Sequence, residues 1–221
     1  MKLTFKHLAS IMVLLLFTSF SKLSAQKAQA PNFTYNFDGK IDFMKLTDSG
    51  VLVVANGDGF AGIKPGQDKL HFSFSDYGKV KQEELEFIPL SPYVVVSQGG
   101  ILTSKKSVFD FVAGKKLFAT EDNGWKMTYT CNILLPQNKL VVSGQRKAAE
   151  KYAMGVAVYD LVTGKEEKLF ILKGATVITG KPLMVGSGLI VPTSKSLMHI
   201  DTKSGSITWE AKVDNITWMT A

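Results

Sequence analysis

The sequence predicts an all-β fold, a β-propeller of four-stranded antiparallel blades with about four blades present in an incomplete ring. Three observations carry that expectation. A short pattern of strand, tight turn and second strand recurs four times, as AGIKPGQDKLHFSF from Ala61, SVFDFVAGKKLFAT from Ser107, AVYDLVTGKEEKLF from Ala157 and LMHIDTKSGSITWE from Leu197. Its turn positions, Asp68, Gly114, Gly164 and Gly205, stand 46, 50 and 41 residues apart, the period of one four-stranded sheet per repeat. Between these copies Val, Ile, Phe, Tyr and Thr alternate with turn signals, and no sustained helical period appears.

The elements follow in chain order. Residues 1–25 read as a signal peptide. Lys2 and Lys6 form a basic start, Leu8 to Phe20 an apolar stretch, and Leu23-Ser24-Ala25 a cleavage site. That stretch is short of the roughly 20 residues that span a bilayer, so no transmembrane segment is expected. Loss of Lys2, Lys6 and Lys22 lowers the net charge from +7 to +4. The remaining lysines are scattered. No basic stripe with interleaved aromatics appears, so no nucleic-acid partner is expected. Residues 26–32 read as a linker.

The propeller is expected over 33–221, with blades at roughly 33–78, 79–122, 123–173 and 174–213. The first blade takes Ile41–Leu46, Val51–Ala55, Phe60–Lys64 and Lys69–Phe74, with Asn56-Gly57-Asp58-Gly59 as the hairpin turn between its middle strands. The second takes Leu85–Ile88, Tyr93–Ser97, Ser107–Phe111 and Lys116–Thr120. The third takes Tyr129–Leu134, Lys139–Ser143, Ala153–Tyr159 and Glu167–Leu172, with Arg146 to Tyr152 as a loop insertion. The fourth takes Pro182–Val185, Leu189–Thr193, Ser196–Ile200 and Ile207–Ala211. Val80 to Phe87 and Gln145 to Tyr152 are short, charged segments of helical composition, read as loop excursions. Ile216 to Thr220 matches the first strand of a fifth blade over 214–221. The chain is therefore expected to be a piece of a longer protein, the rival being a small ring closed by pairing Ile216–Thr220 with Phe33–Phe37.

The third and fourth copies carry a family likeness. Ala157 to Lys165 and Ile200 to Trp209 resemble the blade motif of pyrroloquinoline-quinone-like (quinoprotein-like) propellers, A-x-D-x-x-T-G-K ending in W. The resemblance implies that Asp160, Thr163 and Asp201 support tight turns, that Gly164 and Gly205 take the left-handed position, and that Trp209 packs between blades. The Trp position is held by Phe72 and Phe118 in the first two copies, and by Leu169 or Phe170 in the third. Asp68 replaces the turn glycine in the first copy and Ala113 the Thr in the second. The array is degenerate.

The family includes quinone- and calcium-dependent alcohol and sugar dehydrogenases. It also includes non-catalytic scaffolds, such as the propeller subunit of the outer-membrane protein assembly machine. The dehydrogenases resembled carry adjacent cysteines over the cofactor; this chain has one cysteine, Cys131, expected to be a buried hydrophobe. His71 and His199 sit in no metal-spaced motif. The segment Gly174 to Lys181 has the wrong spacing for a phosphate loop, and Pro182 stands where Ser or Thr is needed. Trp125, Tyr129, Tyr93 and Tyr77 are candidates for an aromatic binding surface or for packing between blades.

No catalytic residue and no metal ligand are expected, and no cofactor. The expected function is an exported, non-enzymatic scaffold at the periplasm or cell surface of a bacterium, binding an envelope protein or a small ligand. The alternatives are a fragment of a pyrroloquinoline-quinone-dependent dehydrogenase, holding quinone and calcium, and a surface carbohydrate-binding module.

Overall fold

Glycines at positive φ and short polar turns cut the chain into strands too short to form anything but meanders. The computed structural model describes residues 32–37, 39–100, 104–148, 151–172 and 177–213. The signal peptide, the linker up to Pro31, the fifth-blade strand Ile216–Thr220 and the first residues of the Gly174–Lys181 segment lie outside them.

Among the described residues, within the unit Asn36–Ala221, sixteen strands form four sheets. Blade 1 is β1 (Ile41–Leu46), β2 (Leu52–Asn56), β3 (Phe60–Ile63) and β4 (Phe72–Phe74). Blade 2 is β5 (Leu85–Phe87), β6 (Tyr93–Gln98), β7 (Lys105–Asp110) and β8 (Lys115–Ala119). Blade 3 is β9 (Trp125–Leu134), β10 (Lys139–Ala148), β11 (Lys151–Asp160) and β12 (Glu166–Ile171). Blade 4 is β13 (Leu183–Val185), β14 (Gly188–Pro192), β15 (Ser196–Asp201) and β16 (Ile207–Lys212). In each sheet, strands adjacent in sequence are hydrogen-bonded neighbours and antiparallel. This is the β-propeller architecture that the repeat predicts.

Each strand position read from the sequence holds a strand, with shifted ends: β9 begins at Trp125 instead of Tyr129 and β7 at Lys105 instead of Ser107. β4 begins at Phe72 instead of Lys69. Val80 to Phe87 is a single 3₁₀ turn, Gln82–Glu84, running into β5. The supposed insertion Arg146 to Tyr152 is mostly strand, because β10 and β11 continue through it.

A sheet with two apolar faces must bury both, and here the blades bury them on one another. Val51, Val53, Phe60 and Phe72 of blade 1 meet Val94, Val96, Phe109 and Phe111 of blade 2. Val95, Val108 and Phe118 of blade 2 meet Cys131, Leu140, Val142, Ala157 and Tyr159 of blade 3. Val141, Val156, Val158 and Phe170 of blade 3 meet Leu189, Val191, Met198 and Ile200 of blade 4. Alternation along β6 and β10 sends successive side chains to opposite cores. The first strands are tied across blades as well. Lys181, just before β13, pairs with Glu86 of β5 at 2.5 Å, and the Asn132 amide of β9 donates to the Pro182 carbonyl at 3.1 Å.

The aromatic on the fourth strand repeats with the blades. Phe72, Phe118 and Phe170 are 7 %, 4 % and 7 % exposed, and each turns toward the next blade. The Phe72 ring lies 4.9 Å from Phe111 and the Phe118 ring 4.7 Å from Tyr159. In blade 3 the position is filled by Phe170, not Leu169.

Candidate functional site

The turns between third and fourth strands are built alike in three blades. The Asp160 carboxylate accepts the Thr163 backbone N–H and the Thr163 hydroxyl, both at 2.8 Å, while Gly164 takes φ +65°. The Asp201 carboxylate accepts the Ser204 N–H at 2.7 Å, the Ser204 hydroxyl at 2.8 Å and the Lys203 N–H at 3.1 Å, with Gly205 at φ +74°. Asp110 accepts the Ala113 N–H at 2.8 Å. The residue after each Asp then latches the blade's other turn, Phe111, Leu161 and Thr202 donating to the carbonyls of Pro92, Asn138 and Ser187 at 2.9, 3.1 and 3.1 Å. Blade 1 departs from this. Its left-handed residue is Gly66, at φ +77°, and not Asp68.

These contacts are structural chemistry, and they titrate. Backbone N–H donors first, then the neighbouring hydroxyl, hold the Asp160 and Asp201 carboxyls below the ordinary aspartate range. A carboxyl held low in the folded state stabilises it above its unfolded pKa, and that contribution is lost as the pH falls through the folded value. In thermal scans, wild type should therefore melt above the Asp160→Asn, Asp201→Asn double variant at neutral pH. The gap should close below about pH 4. An unchanged gap at low pH would refute the assignment.

Trp209, at the motif position that the resemblance sets between blades, is 43 % exposed, and all six residues of β16 are exposed; the described residues end at Val213 and hold no further sheet beside it. It faces outward from blade 4 and stacks on His199, rings 5.6 Å apart and 8° from parallel. His199 Nδ1 lies 2.5 Å from the Thr208 hydroxyl. On the other face of blade 4, a cleft of about 710 Å³ opens toward blade 3, lined by Phe170, Leu172, Met198, Ile200, Ile207 and Glu210 among others.

Blade 3 is the elaborated blade. Its first three strands run ten residues each, against three to six for all the other strands. At about 3.3 Å per residue, four extra residues carry the β10–β11 hairpin roughly 13 Å beyond a regular blade. The local sequence explains how β9 follows it. The register between β9 and β10 shifts at Gly144, and a Cβ there would lie 2.1 Å from the Met127 carbonyl oxygen. Only glycine lets the two backbones approach so closely.

One face of this extension is closed by a buried polar network. The Trp125 indole N–H donates to the Tyr159 hydroxyl at 2.9 Å, and the Arg146 guanidinium donates to the same oxygen at 3.3 Å. Arg146 also pairs with Glu166 and lies 5.5 Å from the Trp125 ring. Arg146 and Tyr159 belong to opposite ends of the β10–β11 ladder. Their contact therefore ties the outer part of β10 to the base of β11. Burial, the leading cause, pushes the Tyr159 phenol up to about 12.

The other face is open. Cross-strand partners project from the same side of a sheet, so Lys147 stands beside Tyr152, and Met127, Gln145 and Met154 form the next row. The Lys126 ammonium lies 4.9 Å from the Tyr152 ring centroid. Tyr152 is 53 % exposed. Much of this surface lies in the segment Arg146 to Tyr152, which the sequence presents as a loop; only Tyr152, adjoining the strand expected from Ala153, hints at a longer strand.

The other sequence candidates fall elsewhere. Trp125 is buried, and Tyr77, Tyr93 and Tyr129 pack against the first, second and third cores. All four aromatics serve packing. Cys131 is buried, and desolvation pushes its thiol up to about 12. His71 Nε2 sits 2.8 Å from the Val112 carbonyl, across the seam between blades 1 and 2. Among the described residues no group of three or more His, Cys, Asp or Glu side chains is placed to hold a metal ion. No helix among them is long and apolar enough to cross a membrane.

No family model matches the chain, and no curated protein matches it. Solved structures do. BamB from Moraxella catarrhalis is 15% identical, with TM-score 0.42, covering 84% of this chain and 54% of its own. Hsv2 from Kluyveromyces lactis is 16% identical, with TM-score 0.44, covering 76% and 50%. A chain of a nidogen–laminin complex is 10% identical, with TM-score 0.42, covering 75% and 60%. The chain spans 50–60% of the length of these structures.

Proposed function

We propose that this chain is a non-enzymatic binding scaffold, exported to the bacterial envelope, whose blade 3 extension is the docking element for a protein partner. The basic start and apolar stretch of residues 1–25 motivate the export. The observation that carries the binding role is the ten-residue ladder of β9, β10 and β11. A blade needs no such length to bury its faces, since the other blades pack with strands of three to six residues. The added length instead presents Tyr152 and its neighbouring lysines to solvent on a rigid support. Exposed tyrosine and methionine side chains are enriched at protein-binding surfaces, and the lysines beside them add a positive potential that steers a partner.

A photo-reactive phenylalanine analogue placed at position 152 tests this in cells of the native host. The expected result is a discrete cross-linked species that is absent when the analogue stands at Val162, an exposed residue in the β11–β12 turn. Equal labelling from both positions, or none from either, would overturn the docking role. Recovery of the protein from the cytoplasm with residues 1–25 intact would overturn the export.

A further inference from the structure

We infer that the open face of the blade 3 extension recognises an acidic protein segment that also carries apolar side chains. The inference rests on the docking role proposed above and names the chemistry of the partner.

The two faces of the extension differ in one respect that points to a ligand. On the closed face, Arg146 has its counter-charge in Glu166 and its hydrogen bond to Tyr159. On the open face, Lys126 and Lys147 flank Tyr152. The ion pairs among the described residues involve Lys79, Lys105, Lys116, Lys139, Arg146 and Lys181 instead. Like charges gathered on one sheet face repel one another and leave a local positive potential that attracts acidic groups. A guest carboxylate beside both ammonium groups removes that repulsion.

The floor of the same face is apolar and adaptable. Met127 and Met154 flank Gln145 in the row beside Lys147 and Tyr152, and Met154 is anchored against the core between blades 3 and 4. Thioether side chains adjust to varied apolar guests, and Tyr152 offers a ring with a polar tip. Lysines alone would fit any polyanion. Lysines around methionine and tyrosine favour a chain bearing both carboxylates and apolar groups.

The test uses the purified mature protein and a labelled peptide of glutamates punctuated by phenylalanines, followed by fluorescence anisotropy. Binding is expected, falling as salt rises, and weakened at least about tenfold by Lys126→Glu with Lys147→Glu. Single Lys126→Gln and Lys147→Gln variants should each weaken it severalfold, with melting temperatures unchanged. Tyr152→Ala should weaken it comparably. The inference is overturned if the lysine variants bind as wild type does, or if a glutamine version of the peptide binds equally well. It is also overturned if a single-stranded oligonucleotide or an anionic lipid vesicle binds more tightly through the same lysines. The two readings fail separately. A partner cross-linked at position 152 whose binding ignores both lysines sinks this inference and leaves the docking role standing. Peptide binding with no cross-link in cells does the reverse.

Discussion

Replacing Phe60 by alanine is expected to lower the melting temperature by roughly 10 °C. Phe60 is the hub of the first core. Its ring lies 5.2 Å from Phe109, 5.4 Å from Phe74, 5.5 Å from Tyr77, 5.7 Å from Phe111 and 6.4 Å from Phe72. Two of those partners belong to blade 2, so the ring joins two sheets. Deleting a buried phenylalanine leaves a cavity and costs about 3–5 kcal/mol, and each kcal/mol moves a chain of this size by about 2–4 °C. Phe60→Leu, which refills most of the volume, should lose less than half as much. Circular dichroism during heating measures both. A loss below about 1 kcal/mol for alanine would mean that blades 1 and 2 are held together by something other than this cluster.

The second large effect is expected at Tyr159. Tyr159→Phe keeps the ring against Phe118 and removes only the hydroxyl that accepts from Trp125 and Arg146. Trp125 is left with a buried indole N–H and no acceptor, a loss of about 1–3 kcal/mol. Arg146 keeps Glu166 and is affected less. The variant also has a signature in pH. A phenol whose folded pKa is raised from 10.0 to about 12 stabilises the fold below its unfolded pKa. That contribution is lost as the pH climbs through the folded value. Wild type should therefore weaken between about pH 10 and 12, and the phenylalanine variant should weaken less over that range. Parallel profiles would show that the hydroxyl is not buried as described.

Most of the architecture was legible because its signals are local. Asp160 with Thr163 and Gly164, and Asp201 with Gly205, are three-to-five-residue devices, and alternation along β6 and β10 reads directly as two-sided burial. The extension of blade 3 was not legible. Gln145 to Lys151 lacks β-branched and aromatic residues, so propensity favours loop or helix there. Pairing on both sides of β10 overrides it, through a register shift that no sequence pattern announces. The network of Trp125, Arg146, Tyr159 and Glu166 joins residues up to 41 positions apart, beyond the reach of any local rule. Trp209 stands at a motif position that the resemblance sets against a neighbouring blade, and the described residues place no sheet against it.

The placement of the extension on blade 3 has a thermodynamic consequence. Blade 3 is clamped on both faces, by Tyr159, Leu140 and Val142 on one side and by Val156, Val158 and Phe170 on the other. Its backbone freedom is already spent in folding. A guest that settles on Lys126, Lys147 and Tyr152 therefore meets a preorganised support, and the entropy lost on association falls mainly on the guest and on two lysine side chains. Weak, short contacts can be selective on such a surface, because little of their free energy goes into ordering the host.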